Sequence, residues 1–422
     1  NIEEVEFHGE ARIKKELEIN RLKGEEHGLI KKILFKLLSF GNKKNYKFFI
    51  YKPYIGAIKE SILSKKLNQL PIFSIYKKKY YQKKKIDYNS RNNLKVLFTP
   101  NNKFENYILE SLKYHLPKIF IENFEDLNQF SKNSNLPQNP SKIFSSNGLW
   151  YDSFFSYYTA LLNEKGSKII YAQHGGSYGV AKYSWQEDHE KKISDKYLTW
   201  GWKTNNYYKN LKKFNILIKN KKYDWNKKKD KFLVLLKHRK VYLQAPDTFA
   251  ACESHKDYLE YLYPFLNSLN NNIKKKMILR LTFKDYKTNN FDFYMNFKEQ
   301  FNFSRKNTLE EACDEAKIVI NTCNSTTFLE TIGSNIPSIL VINKKNNPVR
   351  AEAEKRFNIL YENNLIFYDS HKATKFINDL WNNDIKKWWQ AENIQRAVRE
   401  FQSHYARTSD NIVDDLFNEL HD

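Results

Sequence analysis

Cysteine and glycine are both scarce in this 422-residue chain, and a long apolar run is missing altogether. Three cysteines, Cys252, Cys313 and Cys323, stand far apart with no Cys-x-x-Cys pair, so neither a disulfide framework nor a zinc knuckle is indicated. A reducing cytoplasm fits that usage. No apolar stretch approaches the roughly 20 residues that a spanning helix needs, and no signal peptide precedes the first charged residues. The expectation is a cytoplasmic protein. The sequence begins at Asn1 without methionine, which leaves room for a segment upstream. Acidic residues are outnumbered 48 to 71, giving a net charge of +23 and suggesting an anionic partner: nucleic acid, a phosphorylated substrate or a membrane surface. The lysines are scattered and no RNA- or DNA-binding motif occurs, which argues against nucleic acid. Glycine numbers only 12, yet Gly175, Gly176, Gly179 and Gly201 fall in one short window.

What is present is alternation. A charged helix is expected over residues 3–24, and Leu29–Phe40 reads as a basic amphipathic helix. A strand at Tyr46–Tyr51, a helix at Ile55–Leu67 and the basic run Lys77–Lys85 follow. Next come a strand at Leu94–Phe98, a helix at Phe104–His115, a short strand at Lys118–Ile121 and a strand at Lys142–Ser146. Phe154, Phe155, Tyr158, Leu161 and Leu162 mark one helix face, ahead of the strand that leads to His174. A short strand ends at Gly201. After a lysine- and asparagine-rich stretch the pattern restarts at Phe232–Leu236 and continues to Ser338–Ile342, with a helical tail anchored by Trp381, Trp388 and Trp389. Such alternation implies α/β architecture with parallel sheets. The division expected is 1–45 helical segment, 46–202 first Rossmann-like domain, 203–230 linker, 231–372 second Rossmann-like domain and 373–422 helices packing back on the first.

Two stretches carry chemistry. In Lys168–Gly179 an apolar run breaks into Gln173-His174-Gly175-Gly176, a turn whose glycines permit close backbone approach and whose histidine exchanges protons near neutral pH. The plainer alternative is a tight turn with a structural histidine. In Ala316–Pro337 a strand ends where Asn324-Ser325-Thr326-Thr327 opens a helix; free N–H groups and hydroxyls there suit phosphate, and Glu330, one turn in, suits ribose hydroxyls. Here the plainer alternative is an N-cap doing local work.

These stretches, with Ile193–Trp202, Arg280–Tyr286 and Tyr405–Ser409, occur in an order that resembles a family of transferases from bacterial surface-polysaccharide and O-antigen loci, over roughly residues 140–415. More distantly the chain is similar to GT-B glycosyltransferases that use CMP-activated Kdo or sialic acids. The resemblance implies two Rossmann-like domains facing a cleft, with C-terminal helices crossing back. It also implies a CMP-linked donor of an acidic sugar (Kdo or another nonulosonic acid), no further cofactor, and a surface-polysaccharide or lipid-linked glycan acceptor. His174 and Asp247 are the catalytic candidates. Donor contacts fall to Arg280, Lys284, Asn324, Ser325, Thr326, Thr327 and Glu330, with Gln173, Gly175 and Gly176 in the cleft turn. Arg280-Leu281 stands where related enzymes often carry His-Pro, and an arginine fork still grips a carboxylate or phosphate. Arg350 is a further residue that the cleft would admit. With no Asp-x-Asp triplet to clamp a metal, metal independence is expected. Two other readings remain: a CDP-alditol phosphotransferase on the same architecture, and a non-enzymatic protein binding anions or an anionic membrane surface.

Overall fold

A computed structural model describes residues 41–73, 75, 84–94, 99–204, 208–217, 223–227, 229–237, 255–281, 301–304, 306 and 308–422. The expected helices within 1–40, most of the basic run 77–85 and most of the strand at 94–98 lie outside them. One compact unit comprises residues through Tyr46 with Asn68–Asn139; the other comprises Lys47–Leu67 with Pro140–Asp422.

Within the first unit the helices Lys103–His115 and Phe124–Asn133 flank a single 3₁₀ turn at Lys118–Phe120. A strand was expected at that turn. Pro117 sets the chain for a tight turn, and Phe120 N–H bonds back to the Pro117 carbonyl, so the short apolar run has no ladder to join.

The second unit holds two sheets, and among the described residues every pairing within them is parallel. The first consists of β1 (Phe48–Ile50), β2 (Lys142–Ser145), β3 (Lys168–Ala172), β4 (Lys196–Thr199) and β5 (Leu211–Lys213), adjacent in that order. It therefore continues past residue 202, because the lysine-rich composition hides a three-residue edge strand. The second consists of β6 (Lys231–Leu235), β7 (Met277–Arg280), β8 (Asn302–Phe303), β9 (Ala316–Asn321), β10 (Ser338–Val341) and β11 (Ile366–Phe367). Its order, β8-β7-β6-β9-β10-β11, is the doubly wound Rossmann order, with the switch point between β6 and β9. Phe232, Val234, Ile318, Ile320 and Ile339 are buried on one side of these strands; Leu233, Leu235 and Val319 are buried on the other. Such two-sided burial is what makes the strands read as continuous apolar runs.

One apolar core joins the halves: Tyr171 and Tyr197 of the first sheet share it with Phe328, Leu329 and Ile332 of the helix Thr326–Gly333 and with Val398, Phe401 and Tyr405 of the helix Glu392–Tyr405. The last helix, Ile412–His421, returns to the first sheet and buries Ile412, Leu416 and Leu420 against Phe48, Ile50, Phe144 and Leu198. Lys196 pairs with Glu419 at 3.1 Å beside it. The architecture is GT-B-like, two Rossmann-like halves with C-terminal helices crossing back. Of the tryptophans the sequence had suggested for the return, Trp381 packs against Phe232 in the second half, whereas Trp389 is buried in the core that joins the halves, its indole donating to Asn335.

Candidate active site

Parallel strands present free carboxyl ends on one edge, and in both sheets the chain beyond that edge carries the polar residues singled out above. After β3 the chain enters the turn Gln173–Gly179. Gln173 is fully buried and directs the turn from within: its side-chain oxygen accepts from Trp200 N–H (2.9 Å) and the Trp202 indole (2.7 Å), and its amide donates to Gly175 O (2.7 Å). It positions the turn without facing a ligand. Gly179 has φ 74°, and any Cβ there would meet the Trp202 ring at 2.4 Å.

The turn is seated on the start of the Thr326–Gly333 helix. Gly176 N–H donates to Thr326 Oγ1 at 3.1 Å, and a Cβ at Gly176 would stand 2.3 Å from the Ser325 carbonyl carbon and the Thr326 nitrogen. Only glycine allows backbone to approach backbone so closely. Ser325 is the N-cap, yet its side chain makes no capping bond; its hydroxyl lies 3.0 Å from Thr327 Oγ1. Asn324, 1% exposed, has neither amide atom hydrogen-bonded. A buried polar group left so costs about 1–3 kcal/mol, which is a standing reason to take up a ligand.

His174 is held between Tyr54 (ring centroids 6.5 Å) and Tyr178 (5.4 Å), with its side chain 15% exposed. Burial pushes its pKa down to about 4, opposed by a hydrogen bond with the Ser146 backbone. Nδ1 has no hydrogen-bond partner and lies 3.7 Å from Glu190 Oε1. Glu190 belongs to the helix Trp185–Ile193, as does Glu187. Glu187, with no exposed side-chain surface, accepts from Gly179 N–H (2.7 Å), Lys191 (2.8 Å) and both Nη atoms of Arg350 (3.0 and 2.9 Å). Arg350 also donates from Nε and Nη2 to Ala181 O, and its neighbour Val349 bridges to Ala181. Arg350 therefore ties the loop after β10 to the loop after β3 and is not an open cleft cation.

Arg280 ends β7, in register with Leu235 and, through it, Asn321, so it stands two strands, roughly 10 Å, from the strand that leads to Ser325. Its guanidinium donates to Lys306 O at 2.7 Å. Burial raises the Glu330 pKa to about 7, and its carboxyl is close enough to the buried Cys313 thiol to act on that group's titration. Asp247 and Lys284 lie outside the described residues. Sequence reasoning missed Glu187, Glu190 and Lys237. The first two sit in a run, Trp185-Gln-Glu-Asp-His-Glu-Lys-Lys, that reads as solvated helix; Lys237 is buried just beyond β6, with its ammonium over the Tyr258 ring. Only the position of Lys237 beside a strand end hinted at it. Among the described residues no helix is long and apolar enough to cross a membrane, and no group of three or more His, Cys, Asp and Glu side chains is gathered as a metal site.

A family model described as LIC12162 family transferase matches residues 4–420. The chain belongs to that family. Comparison with curated proteins finds no match. Solved structures similar to this transferase include the wall teichoic acid polymerase TagF (10% identity, 93% of this chain and 94% of that chain, TM-score 0.40). Others are MurG of Acinetobacter baumannii (10%, 89% and 98%, 0.38) and a UDP-glucose:anthocyanidin 3-O-glucosyltransferase (8%, 90% and 99%, 0.41). At TM-scores of this size the fold assignment rests on the order and pairing of the strands themselves.

Proposed function

We propose that this transferase is a metal-independent glycosyltransferase that moves an acidic sugar, Kdo or another nonulosonic acid, from a CMP-linked donor to a surface-polysaccharide or glycolipid acceptor. The observation that carries the reading is the seating of the His174 turn on an uncapped helix start that follows directly on the unsatisfied Asn324. That contact supports reading a proton acceptor and a phosphate cradle side by side, near the β6/β9 switch point where doubly wound sheets bind nucleotides. In the proposed step an acceptor hydroxyl gives its proton to the His174 imidazole as its oxygen bonds to the anomeric carbon. The bond from that carbon to phosphate oxygen breaks, and CMP departs with the electron pair. Asn324, Ser325, Thr327 and the helix N–H groups stabilise the departing phosphate. Arg280 supplies positive charge for the sugar carboxylate. Asp247 and Lys284 are assigned to the same cleft from the family resemblance.

Asn324→Ala combined with Ser325→Ala is expected to weaken nucleotide binding by about 1.5–3 kcal/mol, the usual worth of hydrogen bonds to a charged group. Thr326 is left intact because its hydroxyl already holds Gly176 N–H. Isothermal titration with CMP, CDP, UDP and GDP checks both site and base. A folded double variant with unchanged affinity removes the site, and preferential binding of another nucleotide removes CMP.

The acceptor class places the enzyme at the inner face of a membrane. Leu29–Phe40 and Lys77–Lys85 set lysines beside apolar side chains, and each lysine near an anionic surface contributes about 1 kcal/mol. Co-sedimentation should rise with the anionic lipid fraction and fall with salt. Equal partitioning onto neutral and anionic vesicles ends that part of the proposal.

A further inference from the structure

We propose that the second half carries a saccharide-binding site outside the donor cleft: a pocket along the free side of β11 that holds a neutral sugar residue of a glycan. The use assigned to the pocket rests on the glycan acceptor proposed above; the binding itself does not.

β11 ends its sheet and pairs only with β10, so its other side meets no strand. A cavity of about 540 Å³ lies there, within the range of about 300–1,000 Å³ usual for small-ligand sites. It is bounded by the end of the helix Ala351–Glu362, by β11 and the turn that leads into it, and by the helix Ser370–Trp381. The latter helix buries Ala373, Ile377 and Leu380 against the sheet and gives the pocket Lys372, Lys375, Phe376 and Asp379, spaced i, i+3, i+4 and i+7 along one face. Phe376 breaks what otherwise reads as a solvated face, and it belongs to an aromatic wall. Its ring meets Phe367 (centroids 5.3 Å), and beside them Tyr361 stacks on Tyr368 (5.4 Å, 28° between planes). Tyr361 is 44% exposed, so its ring reaches the mouth of the pocket. Ring faces carry negative charge density and attract the weakly positive C–H groups on the apolar face of a pyranose.

The polar groups suit the remaining edges of the same ligand. Glu362 and Asp379 offer carboxylate oxygens, Lys372 and Lys375 ammonium donors, and Asn364 an acceptor with two donors. Among the described residues, none of these five side chains is taken up by a hydrogen bond or ion pair, although charges of both signs border one pocket. Asp369, the N-cap of the second helix, has one oxygen engaged by Lys372 N–H (2.9 Å). Sugar hydroxyls donate to carboxylates while accepting from ammonium and amide groups, so a polyhydroxylated ring uses both sets together. The charges nearly balance: three carboxylates stand against Lys372, Lys375 and Lys344, the last over the Tyr368 ring at 5.3 Å. No net field therefore draws an anion, and direct stacking of Tyr361 on Tyr368 closes the gap that a nucleobase would enter between two rings.

The pocket also suits an acceptor. Asn321 of β9 is in register with Leu340 and Leu340 with Ile366, a step of two strands or roughly 10 Å from the strand that leads to Ser325. A glycan with its reacting end at the cleft can set an earlier sugar unit in this pocket.

The test is saturation-transfer NMR on the full chain with methyl β-glucoside, methyl β-galactoside and N-acetylglucosamine, each at about 10 mM, which reports dissociation constants of about 1 mM. At least one of them should bind the parent protein. Tyr361→Ala should weaken that binding about tenfold, and Glu362→Gln combined with Asp379→Asn about tenfold or more. All three residues are exposed, so these variants keep the fold. The Asn324→Ala, Ser325→Ala variant should bind the same sugar as the parent does. With a glycan acceptor several sugars long, the pocket variants should raise acceptor KM and leave kcat and donor KM unchanged. If none of the three sugars binds, or binding is equal in the pocket variants, the lining is a solvated rim only and the proposal is overturned. It is likewise overturned if Tyr361→Ala removes binding of CMP or UDP instead. Sugar binding that depends on Tyr361, in a protein that transfers no sugar, upholds the site and removes the function proposed above.

Discussion

Replacing His174 by alanine is expected to lower turnover about a hundredfold or more while donor affinity stays close to that of the parent chain. The expectation follows from the division of labour at the seam. Donor contacts are assigned to Asn324, Ser325 and Thr327 on the second half, whereas His174 comes from the first half and meets that helix start through Gly176. Removing an imidazole held between Tyr54 and Tyr178 leaves the Gly176–Thr326 contact and the Gln173 bonds in place, so the cradle keeps its shape. A nucleotide titration alongside kinetics separates the two effects. Turnover near the parent level in a folded His174→Ala variant would transfer the base to another group, with Asp247 first in line.

The largest stability effect should come from Arg350→Ala. Glu187 has no exposed side-chain surface and receives two parallel bonds from Arg350, and removing one partner of a buried pair costs about 3–5 kcal/mol because the remaining charge is stranded. Lys191 and Gly179 N–H still reach Glu187, which sets the expectation at the lower end of that range. Urea denaturation should show a lowered midpoint with little change in slope. Arg350→Lys should recover part of the loss, since it keeps a positive charge beside Glu187 without the two-pronged geometry. An alanine variant within half a kcal/mol of the parent would mean that water reaches Glu187 and that the two loops are not held by this pair.

Much of the fold was legible because the strands of both sheets are buried on two sides, which writes them as unbroken apolar runs such as Phe232–Leu236 and Ala316–Asn321. Short edge strands lack that signature: Leu211–Lys213 buries only its first residue and reads as part of a polar connection. The turn at His174 and the helix start at Ser325 were visible for a different reason, since glycine and hydroxyl residues cluster there against the composition. Glu190 was invisible. A carboxylate three residues from another on a lysine-bearing helix has the pattern of a solvated face, and its burial follows from the tyrosines of β4 and the His174 turn, which no local pattern predicts. Gln173 was assigned to the cleft by its neighbours, although its amide is consumed by Trp200, Trp202 and Gly175.

The return of the last helix to the first sheet also sets an order of events. Phe48 and Ile50 in β1 cannot close their side of the core until Ile412, Leu416 and Leu420 arrive, so the half that begins earliest in the sequence finishes latest. Loop closure over such a span is slow, and an incomplete sheet carries exposed apolar surface throughout synthesis. A fragment holding only the first half keeps that surface open permanently. The second half, whose strands and covering helices lie close together in sequence, has no such wait and is the natural place for folding to begin.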